Sequence, residues 1–355
     1  MKTTKIQWCH STINPVMGCD GCELWPSNAR LVTLIEATLN STLGLPRPML
    51  TPVVRQAVGC REMSGIYRDR EMVAEEIQAA LGTTLGVRTV VLGSIRGAAK
   101  CYAGHLGTNR AGHKGYADQF EQPKLYAGRM AMAANWPSVT PDEAASKPWL
   151  AGCPRLIFIS DMGDALSHSV PFSFLRQEIV DNVISAAGQR HIWLWLTKRP
   201  AKMAEFGAWL AKQGQAWPSN LVAMTTLTAQ SKAGRLDQLR KVPSQCKGLS
   251  LEPLFEPLDL RLAGIDWVIV GGRSDVLAKP FHVEWALKLR EQCKAAGVAF
   301  FLKQLGKRPF HQGQELALAD EHGGDWNEWP GEWRVREVPA AVRDQPERFA
   351  RLAAA

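Results

Sequence analysis

Seven short runs of β-branched or aliphatic residues, separated by stretches that read as helix, constrain this chain more than any other feature. They are Thr89 to Ser94, Leu156 to Asp161, Ile192 to Lys198, Leu221 to Thr226, Leu249 to Glu252, Trp267 to Gly272 and Ala299 to Gln304. From the second onward they begin roughly 20 to 35 residues apart, which suits β-α repeats better than hairpins. Their nearly unbroken apolar character predicts strands buried on both faces, as in a parallel sheet. Between them, Phe172 to Ala187 sets Leu175, Ile179, Val183 and Ala187 at four-residue steps, one apolar face of a helix. The expected fold is α/β: a parallel (β/α) barrel or a partial TIM-like barrel.

Each run ends in polar residues or glycine. Ser160-Asp161, Thr197-Lys198-Arg199, Thr225-Thr226, Glu252, Gly271-Gly272-Arg273 and Lys303-Gln304 occupy equivalent positions at strand C-termini. A parallel barrel builds its active site from that rim. Asp161, Lys198, Glu252, Gly271 and Lys303 are therefore expected to face one cavity, with Thr197 and Gly272 beside them. The plainer alternative is that polar residues simply begin loops. The stretch from Ser27 to Arg88, with Leu45-Pro46-Arg47-Pro48 and a charged helical pattern from Ile66 to Leu81, interrupts the plan. It reads as a mostly helical insertion in a barrel domain spanning 1–306. Residues 307–355, with Trp326, Trp329 and Trp333 among acids and glycines, read as an irregular cap packing on the barrel.

Three cysteines carry the chemistry. Gly18-Cys19-Asp20-Gly21-Cys22 places two thiols at C-x2-C spacing in a glycine-bent turn, and Lys100-Cys101-Tyr102-Ala103-Gly104 supplies a third. C-x2-C thiols can face one metal centre, and three thiolates leave a coordination position open. A structural zinc site completed by Cys60, Cys101 or His105 is the competing reading; Cys60 itself reads as a plain buried thiol before it reads as a fourth ligand. Cys9, Cys153, Cys246 and Cys293 read as core or loop thiols, while His105, His113 and His168 are assigned no role. Trp25, beside the cysteines, is the indole expected to shield a bound group from solvent. Eight cysteines with no apolar stretch after Met1-Lys2-Thr3-Thr4-Lys5 point to a reducing cytoplasm and no secretory signal. No apolar run reaches the ~20 residues of a membrane span. At 46% hydrophobic and 21% charged the chain is not a disordered one, and its net charge of +8 favours an anionic partner such as nucleic acid.

Lys5-Ile6-Gln7-Trp8 with Asn14-Pro15-Val16-Met17-Gly18-Cys19 resembles the opening of the phage-associated three-Cys-motif domain family. That family has no assigned function and is allied to the radical S-adenosylmethionine (SAM) barrels, with spore photoproduct lyase a distant relative. The resemblance continues through Phe158-Ile159-Ser160-Asp161-Met162, Leu196-Thr197-Lys198-Arg199-Pro200, Leu251-Glu252-Pro253-Leu254, Trp267 to Gly272, Phe301 to Gly306 and Gly323 to Pro330. It departs from the common pattern in splitting the cysteines, with Cys101-Tyr102-Ala103 standing after the insertion. The resemblance implies a radical SAM-type barrel in which Cys19, Cys22 and Cys101 bind a [4Fe-4S] cluster whose remaining iron is chelated by SAM. It implies Gly271, Gly272, Glu252, Thr197 and Asp161 as SAM-binding residues, and Glu252, Lys198 and Lys303 as catalytic ones. Implied too is reductive SAM cleavage that abstracts hydrogen from a nucleic acid or nucleotide-derived substrate, with electrons from a donor protein. Two alternatives stay open. One is a non-catalytic metal- or cluster-stabilised nucleic-acid-binding protein, perhaps with a protein partner from the same mobile element. The other is a radical SAM enzyme modifying a peptide or small metabolite.

Overall fold

The computed structural model describes residues 4–82, 86–275 and 278–343. Of the stretches delimited above, Met1-Lys2-Thr3, residues 83–85 of the insertion and residues 344–355 of the extension lie outside the described residues. The chain forms two compact units. One holds the described residues up to Pro15, Ala127–Asp161 and those from Pro171 on; the other holds Val16–Tyr126 and Met162–Val170.

The first unit is built on seven parallel strands: β1 (Ser11–Ile13), β2 (Arg155–Ile159), β3 (His191–Thr197), β4 (Leu221–Thr226), β5 (Lys247–Leu251), β6 (Trp267–Gly271) and β7 (Ala299–Gln304). Each pairs with its neighbour in sequence, from β1 at one edge to β7 at the other, which is the order of a partial TIM-like barrel. Alternate residues of the strands, Leu156, Phe158, Ile192, Leu194, Val222, Met224, Trp267, Ile269 and Phe301, join Trp8 and Cys9 in one core. The opposite alternation, Ile157, Ile159, Trp193, Trp195, Val268 and Val270, is buried as well. Two buried faces are why the strands read as continuous apolar runs. Helices Pro200–Lys212, Arg235–Arg240 and Val283–Ala296 follow β3, β4 and β6. The helix after β2 runs from Phe172 to Ile184 through a π-helical turn at Arg176–Val180. It buries Leu175, Ile179 and Val183 and stops short of Ala187, because the backbone turns extended at Ser185; the returning chain passes so close that a Cβ at Gly188 would lie 1.9 Å from the Asn182 carbonyl oxygen.

Two cations tie distant segments to this unit. The buried Lys147 ammonium donates to the carbonyls of Thr4 (2.8 Å), Ile6 (2.7 Å) and Cys9 (2.5 Å), fixing the turn before β1. Arg336 donates to the carbonyls of Leu302 (3.1 Å), Lys303 (2.9 Å) and Gly324 (2.8 Å). Its guanidinium lies 4.0 Å from the ring centre of Trp149 and 5.0 Å from that of Trp326. The backbone on either side of Arg336 runs along β7, with Leu302 N–H on the Val335 carbonyl (2.8 Å) and Glu337 N–H on that of Phe300 (2.9 Å).

The second unit is helical: α1 (Asn28–Leu43), α2 (Arg47–Val58), α3 (Met63–Arg68), α4 (Arg70–Leu81), α5 (Val87–Ala98) and α6 (Tyr102–Asn109). Leu31, Ile35 and Leu39 of α1, Val54 and Val58 of α2, and Val73 and Ile77 of α4 share one core. The strand expected at Thr89 to Ser94 is corrected by α5. Val87, Val91 and Ile95 are fully buried at a four-residue step that fills one helix face, while Thr89 is exposed. The sheet's seventh strand is instead β1, whose Ser11–Ile13 pairs with Ile157 to Ile159. Among the described residues, no helix is long and apolar enough to cross a membrane.

Candidate functional site

In the helical unit, the segments carrying the three cysteines are bound to a common scaffold. Cys22 and Trp25 exchange backbone hydrogen bonds (3.0 and 3.1 Å) across a tight turn, and Cys19 N–H donates to the Phe120 carbonyl (2.7 Å). Lys100 N–H donates to the Leu24 carbonyl (2.9 Å), which lays the start of the Cys101 segment against that turn. Gly104 completes the contact. A Cβ there would lie 2.4 Å from the Trp25 ring, so only glycine lets α6 approach the indole so closely. Trp25 is 1% exposed. Its N–H donates to the Glu121 carboxylate (2.6 Å), which also accepts the Ser64 N–H (2.8 Å) and hydroxyl (2.6 Å). Phe120, His105 and Tyr67 surround the ring.

The sulfurs differ in kind along the chain. Cys19, Cys22 and Cys101 are half-buried, Cys60 is exposed, and Cys9, Cys153, Cys246 and Cys293 are buried. Burial pushes the thiols of Cys9, Cys246 and Cys293 up to about 12, so they stay protonated and inert. Cys22 Sγ accepts the Leu24 N–H, and Cys101 Sγ, capping α6, accepts the Gly104 N–H, both at 3.4 Å. Backbone N–H groups on sulfur are the surroundings that metal-bound thiolates use. The donor set therefore fits a thiolate-bound metal group in its chemistry. Among the described residues, no group of three or more His, Cys, Asp or Glu side chains is gathered as a metal site. His105 gives Nε2 to the Ala99 carbonyl (2.7 Å), a packing role.

In the sheet unit, the strand ends collect a second set. Glu252, just after β5, meets Lys303 of β7, with Nζ 2.8 Å from Oε1 and both side chains under one-fifth exposed. Oε2 accepts the Trp8 indole N–H and the Ser250 hydroxyl, each at 3.2 Å. Gly271 ends β6 beside them; a Cβ there would stand 2.9 Å from Glu252 Oε1. At Gly272 a Cβ would lie 2.3 Å from the Leu305 carbonyl oxygen, and the Gly272 carbonyl accepts from Gln304 (2.9 Å). The absence of side chains at 271 and 272 is thus used by the protein's own packing. Thr197 closes β3, its hydroxyl accepting the Arg199 N–H (2.9 Å) and its carbonyl the Thr225 hydroxyl (2.8 Å); Lys198 follows, half-buried. Asp161, after β2, accepts from the Asn14 side chain, whose backbone carbonyl takes the Arg129 guanidinium (2.8 Å).

The structure thus brings Glu252, Lys303 and Gly271 into contact, with Asp161 and Thr197-Lys198 at the ends of β2 and β3. Sequence reasoning gave no individual role to Trp8, Ser250 or Ser160. Ser160 is 6% exposed and adopts a left-handed φ of 74°, and its hydroxyl has no partner. Trp8 stood within a quoted motif, but nothing in the sequence ties it to a residue 244 positions away.

A family model described as a protein of unknown function (DUF5131) matches residues 88–330. No curated protein and no solved structure matches the chain.

Proposed function

The chain belongs to the DUF5131 family of proteins of unknown function, and from that premise we propose that it is a radical SAM-like enzyme acting on a nucleic acid or nucleotide-derived substrate. In this reading Cys19, Cys22 and Cys101 hold a [4Fe-4S] cluster, and Glu252 and Lys303 take the ammonium and carboxylate of SAM. Gly271, Gly272, Thr197 and Asp161 line the cofactor, and Lys198 meets a substrate phosphate. The observation that carries it is the cysteine scaffold. Two sulfurs already receive backbone N–H groups, and their segments are tied by the Lys100–Leu24 hydrogen bond and the Gly104–Trp25 contact.

When bound, a cluster and SAM supply one-electron reduction and hydrogen-atom abstraction, which no side chain can provide. The protein's share is position and charge. Cys19, Cys22 and Cys101 would hold the metal group through their sulfurs. The buried Trp25 ring packs against Gly104, three residues beyond Cys101. Glu252 offers a carboxylate to a cation, and Lys303 and Lys198 offer ammonium groups to a carboxylate or phosphate. The net charge of +8 supports an anionic substrate. An electron donor belongs to the same proposal.

The test is iron and sulfide content of anaerobically purified protein, with 5′-deoxyadenosine formation from SAM under dithionite. Cys19→Ala, Cys22→Ala and Cys101→Ala should each lose the iron and the product, while Cys293→Ala keeps both. Full iron in Cys101→Ala refutes the ligand set. Zinc in place of iron in the wild type replaces this reading with a metal-stabilised nucleic-acid-binding protein.

A further inference from the structure

We infer that Arg129 and Glu178 are positioning residues for Asp161, acting through Asn14 to hold its carboxylate at the end of β2 as an acceptor for the cofactor. This rests on the reading of Asp161 as a residue that lines SAM.

Two irregularities of the backbone serve this one side chain. The nearer is Ser160. Its left-handed φ of 74° is costly for a residue with a side chain, and it turns the chain as it leaves β2. The Ser160 N–H still donates to the Ile13 carbonyl (3.0 Å), so the turn is made against the end of β1. Asn14 follows β1 there, and its side-chain amide donates to Asp161 Oδ1. Pro15 restricts the Asn14 backbone from one side. Arg129 Nη1 holds the Asn14 carbonyl from the other (2.8 Å). An amide on backbone so fixed presents its N–H from one place.

The farther irregularity is the π-helical turn at Arg176–Val180, a form that recurs at functional sites. Glu178, Ile179 and Val180 are all buried, three successive residues that the wider turn accommodates. Glu178 Oε2 accepts the Gly128 N–H and Oε1 the Met130 N–H, each at 2.8 Å. The carboxylate thus caps the short helix Arg129–Ala134 at the end that favours negative charge. Arg129 stands between the two residues it grips. From Glu178 to the helix start, from Arg129 to Asn14, and from Asn14 to Asp161, the contacts form an unbroken relay. A helix cap alone accounts for neither the Arg129–Asn14 bond nor the left-handed serine. The charges of Asp161, Glu252 and Lys303 all bear on the buried Cys9 thiol, so the relay ends in the same polar group as the Glu252–Lys303 pair.

The experiment has two readouts. In protein with isotope-labelled asparagine, hydrogen exchange of the Asn14 side-chain amide, assigned by its loss in Asn14→Ala, reports the bond to Asp161. Arg129→Gln removes the guanidinium and leaves the cap; Glu178→Gln removes the charge of the cap. Each should quicken Asn14 exchange about tenfold, as expected for a locally loosened contact. In Arg129→Gln the amide of Asn220, 1% exposed and bound to the carbonyls of Val183, Gly188 and His191, should not change. In calorimetric titration of anaerobically purified protein, each variant should weaken SAM binding about tenfold, the order expected for a hydrogen bond to a charged group. Arg129→Lys, which keeps a donor, should recover most of that loss. Placed on Asp161→Asn, neither variant should weaken binding further, because both act through that carboxylate. Unchanged Asn14 exchange in both variants overturns the inference. So does equal quickening at Asn14 and Asn220 in Arg129→Gln, the mark of a merely structural role, and so does a loss that persists in full on Asp161→Asn. Should Glu178→Gln fail to fold, Arg129→Gln decides by the same measurements. Quickened Asn14 exchange in a protein whose wild type binds no SAM fails the assignment of Asp161 to SAM and leaves the relay standing.

Discussion

Acid should unfold the sheet unit through His10. This residue is 3% exposed, and its ring Nδ1 accepts the Leu156 N–H at 3.0 Å, while its own backbone N–H donates to the Leu156 carbonyl at 2.9 Å. It therefore joins β2 to the turn before β1. Burial, reinforced by the charges of Lys147 and Arg155, lowers its pKa from 6.5 to about 4. The folded state thus holds the ring neutral, while the unfolded chain binds a proton below pH 6.5. Stability is fully present above that value and is lost as the pH falls toward 4. At 1.36 kcal/mol per pH unit, the fall from 6.5 to about 4 makes the full loss about 3 kcal/mol, most of it gone near pH 4.5. His10→Asn offers an amide oxygen to Leu156 and removes the titration. Urea unfolding followed by tryptophan fluorescence at neutral pH and near pH 4.5 measures the difference. Of the 13 tryptophans only Trp25 lies in the helical unit, so the remaining 13 − 1 = 12 report the sheet unit. The variant should lose about 2 to 3 kcal/mol less than wild type on acidification. His191, also lowered to about 4 by burial, supplies the residual acid sensitivity in both. An equal loss in His10→Asn and wild type refutes the reasoning.

Arg336→Met should cost about 3 kcal/mol in urea unfolding, since it strips donors from the Leu302, Lys303 and Gly324 carbonyls beside two indoles; a change below about 1 kcal/mol contradicts the accounting. Gly104→Ala should displace the Trp25 ring, 2.4 Å from the new methyl, at about 1–3 kcal/mol. Limited proteolysis within α1 to α6 should then quicken, and an unchanged cleavage rate would mean the indole gives way without consequence.

Six of the seven sheet strands were legible because burial on both faces writes an unbroken apolar run. The seventh was not. Ser11–Ile13 is only three residues long and carries two hydroxyls. Thr89 to Ser94 misled for the opposite reason. Val90 and Val91 are β-branched neighbours, yet the step from Val87 to Val91 to Ile95 belongs to a helix, and packing overrode the local preference. The pairing of Glu252 with Lys303 could not be decided from residue types alone. The grip of Trp8 on the same carboxylate joins chain positions 244 apart and depends on the fold. The relation of Cys101 to Leu24 and Trp25 is of the same kind: it arises from a backbone bond and a glycine contact, not from spacing.

The backbone of Val335 and Glu337, bonded to Leu302 and Phe300, has a consequence for biosynthesis. It covers the outer margin of β7, the one long strand of the sheet with a neighbour on only one side. As the chain leaves the ribosome, that margin stands bare until the residues around Arg336 emerge. A bare strand margin recruits strands from other molecules. Nascent or C-terminally clipped chains are therefore the form in which this protein should self-associate, with Arg336 as the fastening that ends the exposure.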